Sequence, residues 1–419
     1  MKIGKYIIIA LAALTAAMPA WAENGVDSPY SRFGYGLLND NASSAQRAMG
    51  GVGYAMSAGR QINVMNPASY AAIDSMTFLF DMGVAATAIW SKDGNTSAND
   101  FGGGLDYITM QFPIGKYMGG SLGLLPYSSV GYAFGSKITH GANERNGSGG
   151  LNQLYLGLSG RPFKGFSVGF NISYLFGNII NDTYVLTQGG STSLFERVME
   201  VRDWHIQIGA QYSIDLDSRN RLGLGLVYSP GKTLLGHAYG VYYDVKADAN
   251  TDGTYRADTV GYANMRGHYS LPDTWGAGIS YTWNNRLLVE GDFTYQPWKK
   301  AKYRAIEGFE RTDFNDRWKI AAGVQYTPNP MRGSYVQRMS YRLGGYYNSD
   351  YIKVGDNSVR EYGVSMGFGL PTVGRTVVNL GFEYRHRQAH PMPMVKENYF
   401  NITLGINFNE RWFMQRKIE

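Results

Sequence analysis

The stretch FNITLGINFN, residues 400–409, decides the fold. Phe400, Ile402, Leu404, Ile406 and Phe408 alternate with Asn401, Thr403, Gly405, Asn407 and Asn409. A period of two puts one set on each face of a β-strand, apolar on one side and polar on the other. The pattern recurs upstream. In RLLVEGDFTYQ, Leu287, Val289, Phe293 and Tyr295 oppose Glu290, Asp292, Thr294 and Gln296. In TWGAGISYTW, Trp275, Ile279, Tyr281 and Trp283 oppose Gly276, Gly278, Ser280 and Thr282. In VVNLGFEYR, Val378, Leu380, Phe382 and Tyr384 oppose Asn379, Gly381, Glu383 and Arg385. The apolar faces of these segments carry no charge.

Read through the chain, the alternation gives about fourteen strands, near 76–90, 103–114, 119–136, 150–160, 165–179, 201–214, 220–244, 260–283, 286–298, 317–326, 339–348, 361–370, 375–387 and 398–410. Each is close to the roughly ten residues that a tilted strand needs to cross a bilayer, or longer. The links alternate between long and short. Ser91–Gly102, Lys137–Gly149, Ile180–Glu200, Lys246–Thr259 and Lys299–Asp316 are long. Gly115–Met118, Arg161–Lys164, Asp215–Arg219, Asn284–Asn285 and Pro371–Gly374 are short. Thr327–Arg338 breaks the alternation. Long loops on one side and short turns on the other are an outer-membrane pattern. The expected fold is all-β: a transmembrane antiparallel barrel of about fourteen strands. Its charged face, with Asp81, Glu290, Asp292, Arg342 and Glu383, lines the lumen. Lys319 and Arg385 belong there too. A charge on the lipid face would cost about 2–4 kcal/mol at the midplane.

Composition sets the compartment. Lys2 and Lys5 precede an apolar run that ends near Met18, followed by Ala20-Trp21-Ala22. This reads as a secretory leader cleaved after Ala22. The chain has no cysteine, so an exported fold must rely on a large core or a closed sheet. The formal charge of +6 over 419 residues is too mild for a nucleic-acid partner. Residues 23–75 do not alternate and are rich in Gly, Ser, Ala and Met. They are expected to form an N-terminal plug inside the lumen, with the barrel over 76–410 and a polar tail over 411–419.

The third strand, GGSLGLLPYSSVGYAFG (119–135), carries a break at its midpoint. Leu122, Leu124, Pro126, Ser128, Val130, Tyr132 and Phe134 share one phase, so the lipid-facing stripe is interrupted. Pro126 also removes one ladder hydrogen bond. A kink that opens the wall and a bulge that only shapes it both fit.

RAMGGVGYAM and NPASYA in the plug, GLLPYSSVGY in the third strand and LPDTWGAGISY at 271–281 together resemble the FadL/TodX family of outer-membrane transporters for fatty acids and other hydrophobic compounds. SPYSRFGYG and NFNERWF are similar to Bacteroidota members. The resemblance implies passive uptake of a hydrophobic small molecule. It also implies lateral exit into outer-membrane lipid through a gap at Leu125, Pro126, Tyr127, Ser128 and Ser129. Arg47, Met49, Gly50, Gly51, Met56, Met65, Asn66, Pro67 and Ala68 are the candidate plug and ligand path. The alternative is a barrel that does not transport and serves as a subunit of an envelope assembly or secretion complex, with other envelope proteins as partners.

Other features stay open. Asn66-Pro67 favours a turn. Met49, Met56 and Met65 suit either a ligand pocket or plain packing. Arg32, Arg47 and Arg60 could pair with the lumen acids, or those acids could pair with Lys319, Arg342 and Arg385. DANTDGT (248–254) copies the start of a calcium loop but lacks the closing glutamate. QPWKKAKYR (296–304) fits an interfacial girdle. The G-x-S-x-G copies around Ser121, Ser167 and Ser365 lie in strands with no helix following. They do not read as nucleophile elbows, and neither catalysis nor a cofactor is expected.

Overall fold

In the computed structural model, residues 27–411 are described, apart from 58, 139–140, 188–191, 246–255, 304–311, 332 and 373. The expected leader, the 248–254 loop, Arg304 and the tail beyond 411 lie outside the described residues. Fourteen antiparallel strands close into one barrel. They are β1 (Thr77–Asp93), β2 (Thr96–Gly115), β3 (Met118–Ile138), β4 (Gly141–Phe163), β5 (Phe166–Thr187) and β6 (Thr192–Asp215). β7 runs in pieces, Asn220–Ser229, Lys232–Thr233 and Gly236–Val245, and so does β8, Arg256–Asn264, Ser270–Leu271 and Thr274–Trp283. Then come β9 (Leu287–Gln296), β10 (Arg317–Tyr326), β11 (Ser340–Val354), β12 (Asn357–Pro371), β13 (Val377–His390) and β14 (Lys396–Arg411). β14 pairs with β1 from Arg411↔Thr77 to Lys396↔Lys92, which closes the cylinder.

The faces follow the alternation. Phe400 and Ile402 are exposed, while Asn401 and Thr403 on the alternate phase are buried toward the lumen. Phe293, Ile279, Tyr384 and Leu226 also face outward, whereas Asp81, Glu290, Asp292 and Arg342 are buried. An apolar outer band around a polar lumen is the arrangement a bilayer demands, and the chain is an outer-membrane multi-pass β-barrel.

The structure departs from the sequence expectation in several places. The Ser91–Gly102, Lys137–Gly149 and Ile180–Glu200 links are not long loops, because the strands on either side continue through them; β1 and β2 run on to a tight turn at Gly94-Asn95. β7 and β8 are not continuous. Pro230 and Pro272 lie between their pieces, where a proline cannot donate to the ladder. The 327–339 connection holds a one-turn helix, Tyr335–Arg338, capped by Ser334 and Gln337.

The third strand corrects the expected phase. Pro126 pairs with Asn152 and Ser128 with Leu151, so Tyr127 is an inserted bulge residue. One extra residue reverses the facing of everything beyond it. Leu122 stays outward, but Val130 and Tyr132 turn inward and are only 2 % and 3 % exposed. The stripe is not a lipid-facing row interrupted by serines; it crosses from the outside to the inside. Pairing of β2 with β3 also stops at Ile108↔Leu124. Above that point the two strands part.

Candidate functional site

Residues 28–71 run within the cylinder and touch its inner wall on most sides. The wall glycines make this possible. A Cβ at Gly209 on β6 would overlap Asn66 Oδ1, one at Gly225 on β7 would overlap the Tyr54 carbonyl, and one at Gly344 on β11 would overlap the Met49 carbonyl carbon. Side chains at these inward positions would occupy space that the segment's backbone fills.

Local chemistry shapes the segment. Asn66 precedes a 3-10 helix, Pro67–Ala72, and its Oδ1 accepts the Ala68 N–H at 3.1 Å. Its Nδ2 donates to the carbonyl of Tyr54 at 2.7 Å and to that of Ala210, on β6, at 3.2 Å. The Asn-Pro-Ala turn therefore joins two parts of the segment to the wall. Gly50 and Gly51 adopt φ of 76°, which side-chain-bearing residues rarely reach, and their turn frees amides for the wall. Gly50 N–H donates to Ser365 Oγ at 2.8 Å, so this serine of a G-x-S-x-G copy serves as an anchor.

The lumen acids find partners that differ from the arginines weighed above. Asp292 Oδ2 accepts N–H bonds from Gly53 at 2.7 Å and Tyr54 at 3.0 Å. Glu290 Oε1 accepts those of Ala55 at 2.8 Å and Met56 at 3.0 Å. Asp81 is held by Tyr107 and Asn407, and Glu383 by Tyr346 and Asn401. Arg342 donates to Gln325 and Asn379. Arg47 does pair with a wall acid, Asp106, at 2.8 Å. Arg60 lies 3.7 Å from Asp74, within the same segment.

Asp40, which the sequence did not single out, joins the segment to β10. It bonds Lys319 Nζ at 2.5 Å and Arg317 at 3.3 Å. Burial pushes its carboxyl up, but Lys319 and then Arg317 outweigh that and hold it well below the usual carboxylate range. A carboxyl depressed on folding contributes stability above its unfolded pKa, near 3.9, and loses it as pH falls through the lower folded value. Protease resistance around Asp40 is therefore expected to stay flat from pH 8 to about 4. Asp40→Asn should lower it across that range.

Tyr35 closes the side that bears the long strands. Its ring is fully buried, with the rings of Trp298 at 5.9 Å, Tyr303 at 5.4 Å and Phe314 at 6.5 Å from it. Tyr351 adds an aromatic contact to Trp298 at 4.3 Å. Removing a buried aromatic side chain costs about 3–5 kcal/mol. Tyr35→Ala is expected to loosen the lid and raise ion conductance in planar bilayers; unchanged conductance would count against the lid.

The candidate path residues separate. Met49 and Met56 pack against Val52 and Ala321. Met65, Leu125 and Tyr127 line an internal cavity of about 100 Å³ with Arg317 and His205. A second, of about 60 Å³, lies among Asp40, Arg47, Arg317, Lys319, Glu361 and Arg387. Larger cavities lie elsewhere; one of about 660 Å³ has Phe33, Tyr132, Phe195 and Arg197 in its lining. One of about 720 Å³ sits where β2 and β3 part, with Phe33, Ile89, Phe134 and Val395 in its lining. Pro126, Ser128 and Ser129 border another of about 640 Å³ with Arg202. At the break itself Leu37 and Leu38 pair with Ser129 and Ser128, so two residues of the segment take the edge that β2 leaves. Nothing in the sequence marked them beyond two adjacent leucines.

The BamG family model matches residues 3–419. The chain belongs to the BamG family. Among solved structures, this BamG-family barrel is similar to the Pseudomonas putida toluene transporter TodX, with TM-score 0.64, 14% identity, and 90% of this chain and 100% of that one covered. A Pseudomonas aeruginosa FadL homologue gives 0.61 and 11%, with 90% and 100% covered. The CymD monoaromatic hydrocarbon channel gives 0.59 and 15%, with 90% and 99% covered. At such identities the likeness establishes a FadL/TodX-type fold for this member of the BamG family. No curated protein matches the sequence.

Proposed function

We propose that this BamG-family chain is a sealed outer-membrane barrel that works as a component of an envelope assembly complex rather than as an open pore. In this reading residues 1–22 are a cleaved leader, 23–75 a permanent plug and 76–410 a platform. The filled lumen carries the proposal. Small-molecule pockets usually measure about 300–1,000 Å³ and are mostly apolar. The two cavities that border Asp40 hold about 60 and 100 Å³, and charged side chains line the smaller one. A hydrocarbon crossing them would have to displace Arg317, Lys319, Arg387 and their carboxylates. The test is native purification from membranes with mass spectrometry of proteins and lipids together. Stoichiometric envelope proteins are expected. A lone barrel with an apolar small molecule inside would overturn the reading.

Uptake of hydrophobic compounds is the second reading, and the cavity of about 720 Å³ beside the parted wall favours it. A ligand would enter there, skirt the plug at Met65 and leave beside Pro126. Accumulation of a labelled hydrocarbon by cells, lost when Phe134→Lys fills the cavity mouth, would support it.

A further inference from the structure

Beside the Tyr35 lid, three neighbouring strands aim donors into one cavity. Arg145 on β4 pairs with Thr183 on β5, and Thr183 with Phe195 on β6. Gly147, Asn181 and Arg197 form the next row on the same face. Tyr132 of β3 pairs with Gly147 and lies beside them. Apart from the glycine, these residues line the cavity of about 660 Å³. Arg145 Nε, Arg197 Nε and Asn181 Nδ2 are buried and have no hydrogen-bond partner. Arg197 is 9 % exposed, and its guanidinium lies 5.9 Å from the ring centre of Tyr303, part of the lid. Asn181 is held by the Tyr132 hydroxyl, which donates to its Oδ1 at 2.7 Å, and its Nδ2 is left over. Buried donors are normally bonded, so three orphans in one place call for a ligand that accepts.

The charges agree. Arg32 and Lys353 add to the same wall, and Asp313 is the one carboxylate among the described residues of the lining. Lys353 lies 3.8 Å from Asp356. The other acids of these strands turn away. Asp182 pairs with Glu196, and Glu144 with Tyr184, in rows of the opposite face. Asp27, Asp93 and Asp100 border the adjacent cavity of about 720 Å³. Among the described residues neither Arg145 nor Arg197 has a carboxylate at ion-pair distance.

We propose that the cavity binds a phosphate monoester, with the phosphate between Arg145 and Arg197 and Asn181 Nδ2 as the third donor. The two arginines start two strands apart, about 10 Å, and one row offset, so both side chains reach an anion between them. The planar guanidinium fork matches phosphate oxygens. A phosphate monoester brings three accepting oxygens and close to two charges, where a carboxylate brings two oxygens and one charge. Bare phosphate would leave most of the space empty. The volume is that of a pocket for a small organic molecule, and Phe33 and Phe195 offer cover for the carbon part of the ester. The inference goes beyond both functional readings above, since neither requires an anion at the lid.

The purified full-length barrel in detergent is titrated calorimetrically with inorganic phosphate, glucose 1-phosphate, dihexanoyl phosphatidic acid and, as the carboxylate control, laurate. At least one of the two esters is expected to bind. Glucose 1-phosphate alone would identify a soluble source, phosphatidic acid alone a lipid headgroup, and both together the shared phosphate chemistry. Arg145→Gln with Arg197→Gln should weaken the ester about tenfold or more while heat-modifiable folding persists. A second measurement needs no variant. Phenylglyoxal modification of the native chain, mapped by mass spectrometry, should be slowed by the ester at Arg145 and Arg197 and not at Arg219, exposed on a short turn. Binding of neither ester, binding of inorganic phosphate only, laurate bound as tightly as the esters, undiminished binding by the double variant, or no protection of the two arginines would each overturn the proposal.

Discussion

Gly344→Leu is expected to expel the N-terminal segment from the cylinder. The new side chain would start inside the Met49–Gly50 peptide, which is backbone and cannot rotate away. Overpacking a core usually costs about 1–3 kcal/mol because side chains give way. Here the whole turn must lift, and the bond from Gly50 N–H to Ser365 goes with it. The four amides on Glu290 and Asp292 follow in sequence. The barrel strands keep their own ladders, so heat-modifiable folding should persist while proteases gain access to residues near Met49 and Met56. Gly344→Ala should give a smaller change in the same direction. Unaltered protease resistance in the leucine variant would contradict the packing described.

The second large effect concerns the two wall carboxylates. Glu290→Leu with Asp292→Leu leaves four buried amide donors, those of Gly53, Tyr54, Ala55 and Met56, without acceptors. Each buried donor left unpaired costs about 1–3 kcal/mol, so seating of the segment should weaken by about 4 kcal/mol or more. Glu290→Gln with Asp292→Asn keeps a carbonyl oxygen at each place and should cost far less. Hydrogen exchange of the four amides separates the cases. The leucine pair should lose protection there while the strand amides of β9 and β10 retain theirs. Equal protection in both pairs would mean that the carboxylates do not hold the segment.

Much of this was legible in the residues. Each of the fourteen barrel strands corresponds to an alternating stretch, because a lumen and a bilayer enforce the period from opposite sides. The alternation fails to report a bulge, and Tyr127 therefore hid the inward turn of Val130 and Tyr132. Pro126 marked the place without giving its consequence. The prolines at 230 and 272 did signal the breaks in β7 and β8, but the alternation on either side masked them. For the site, the need for lumen acids was readable from their phase. Their partners were not, because backbone amides leave no trace in residue type. The one available sign was Gly50-Gly51 with Gly53, a run able to turn its N–H groups toward a wall. Asp40 was silent for a different reason: a single acid in a polar stretch reads as solvated until the fold brings Arg317 and Lys319 beside it.

A disulfide scan of the segment against the wall probes the filled lumen most directly. An ideal Cβ at Gly381 on β13 would lie 3.6 Å from the Ala48 Cβ, within the roughly 3.5–4.5 Å that a disulfide spans. Thr403→Ala clears the hydroxyl that would crowd it. In a chain with no other cysteine, Ala48→Cys with Gly381→Cys should oxidise in native membranes to a single intramolecular bond. Both thiols should then resist maleimide. Two free thiols that react readily with maleimide in the folded barrel would show that residues near Ala48 do not lie against the inner wall, and the account of a cylinder filled by its own N-terminal segment would fail.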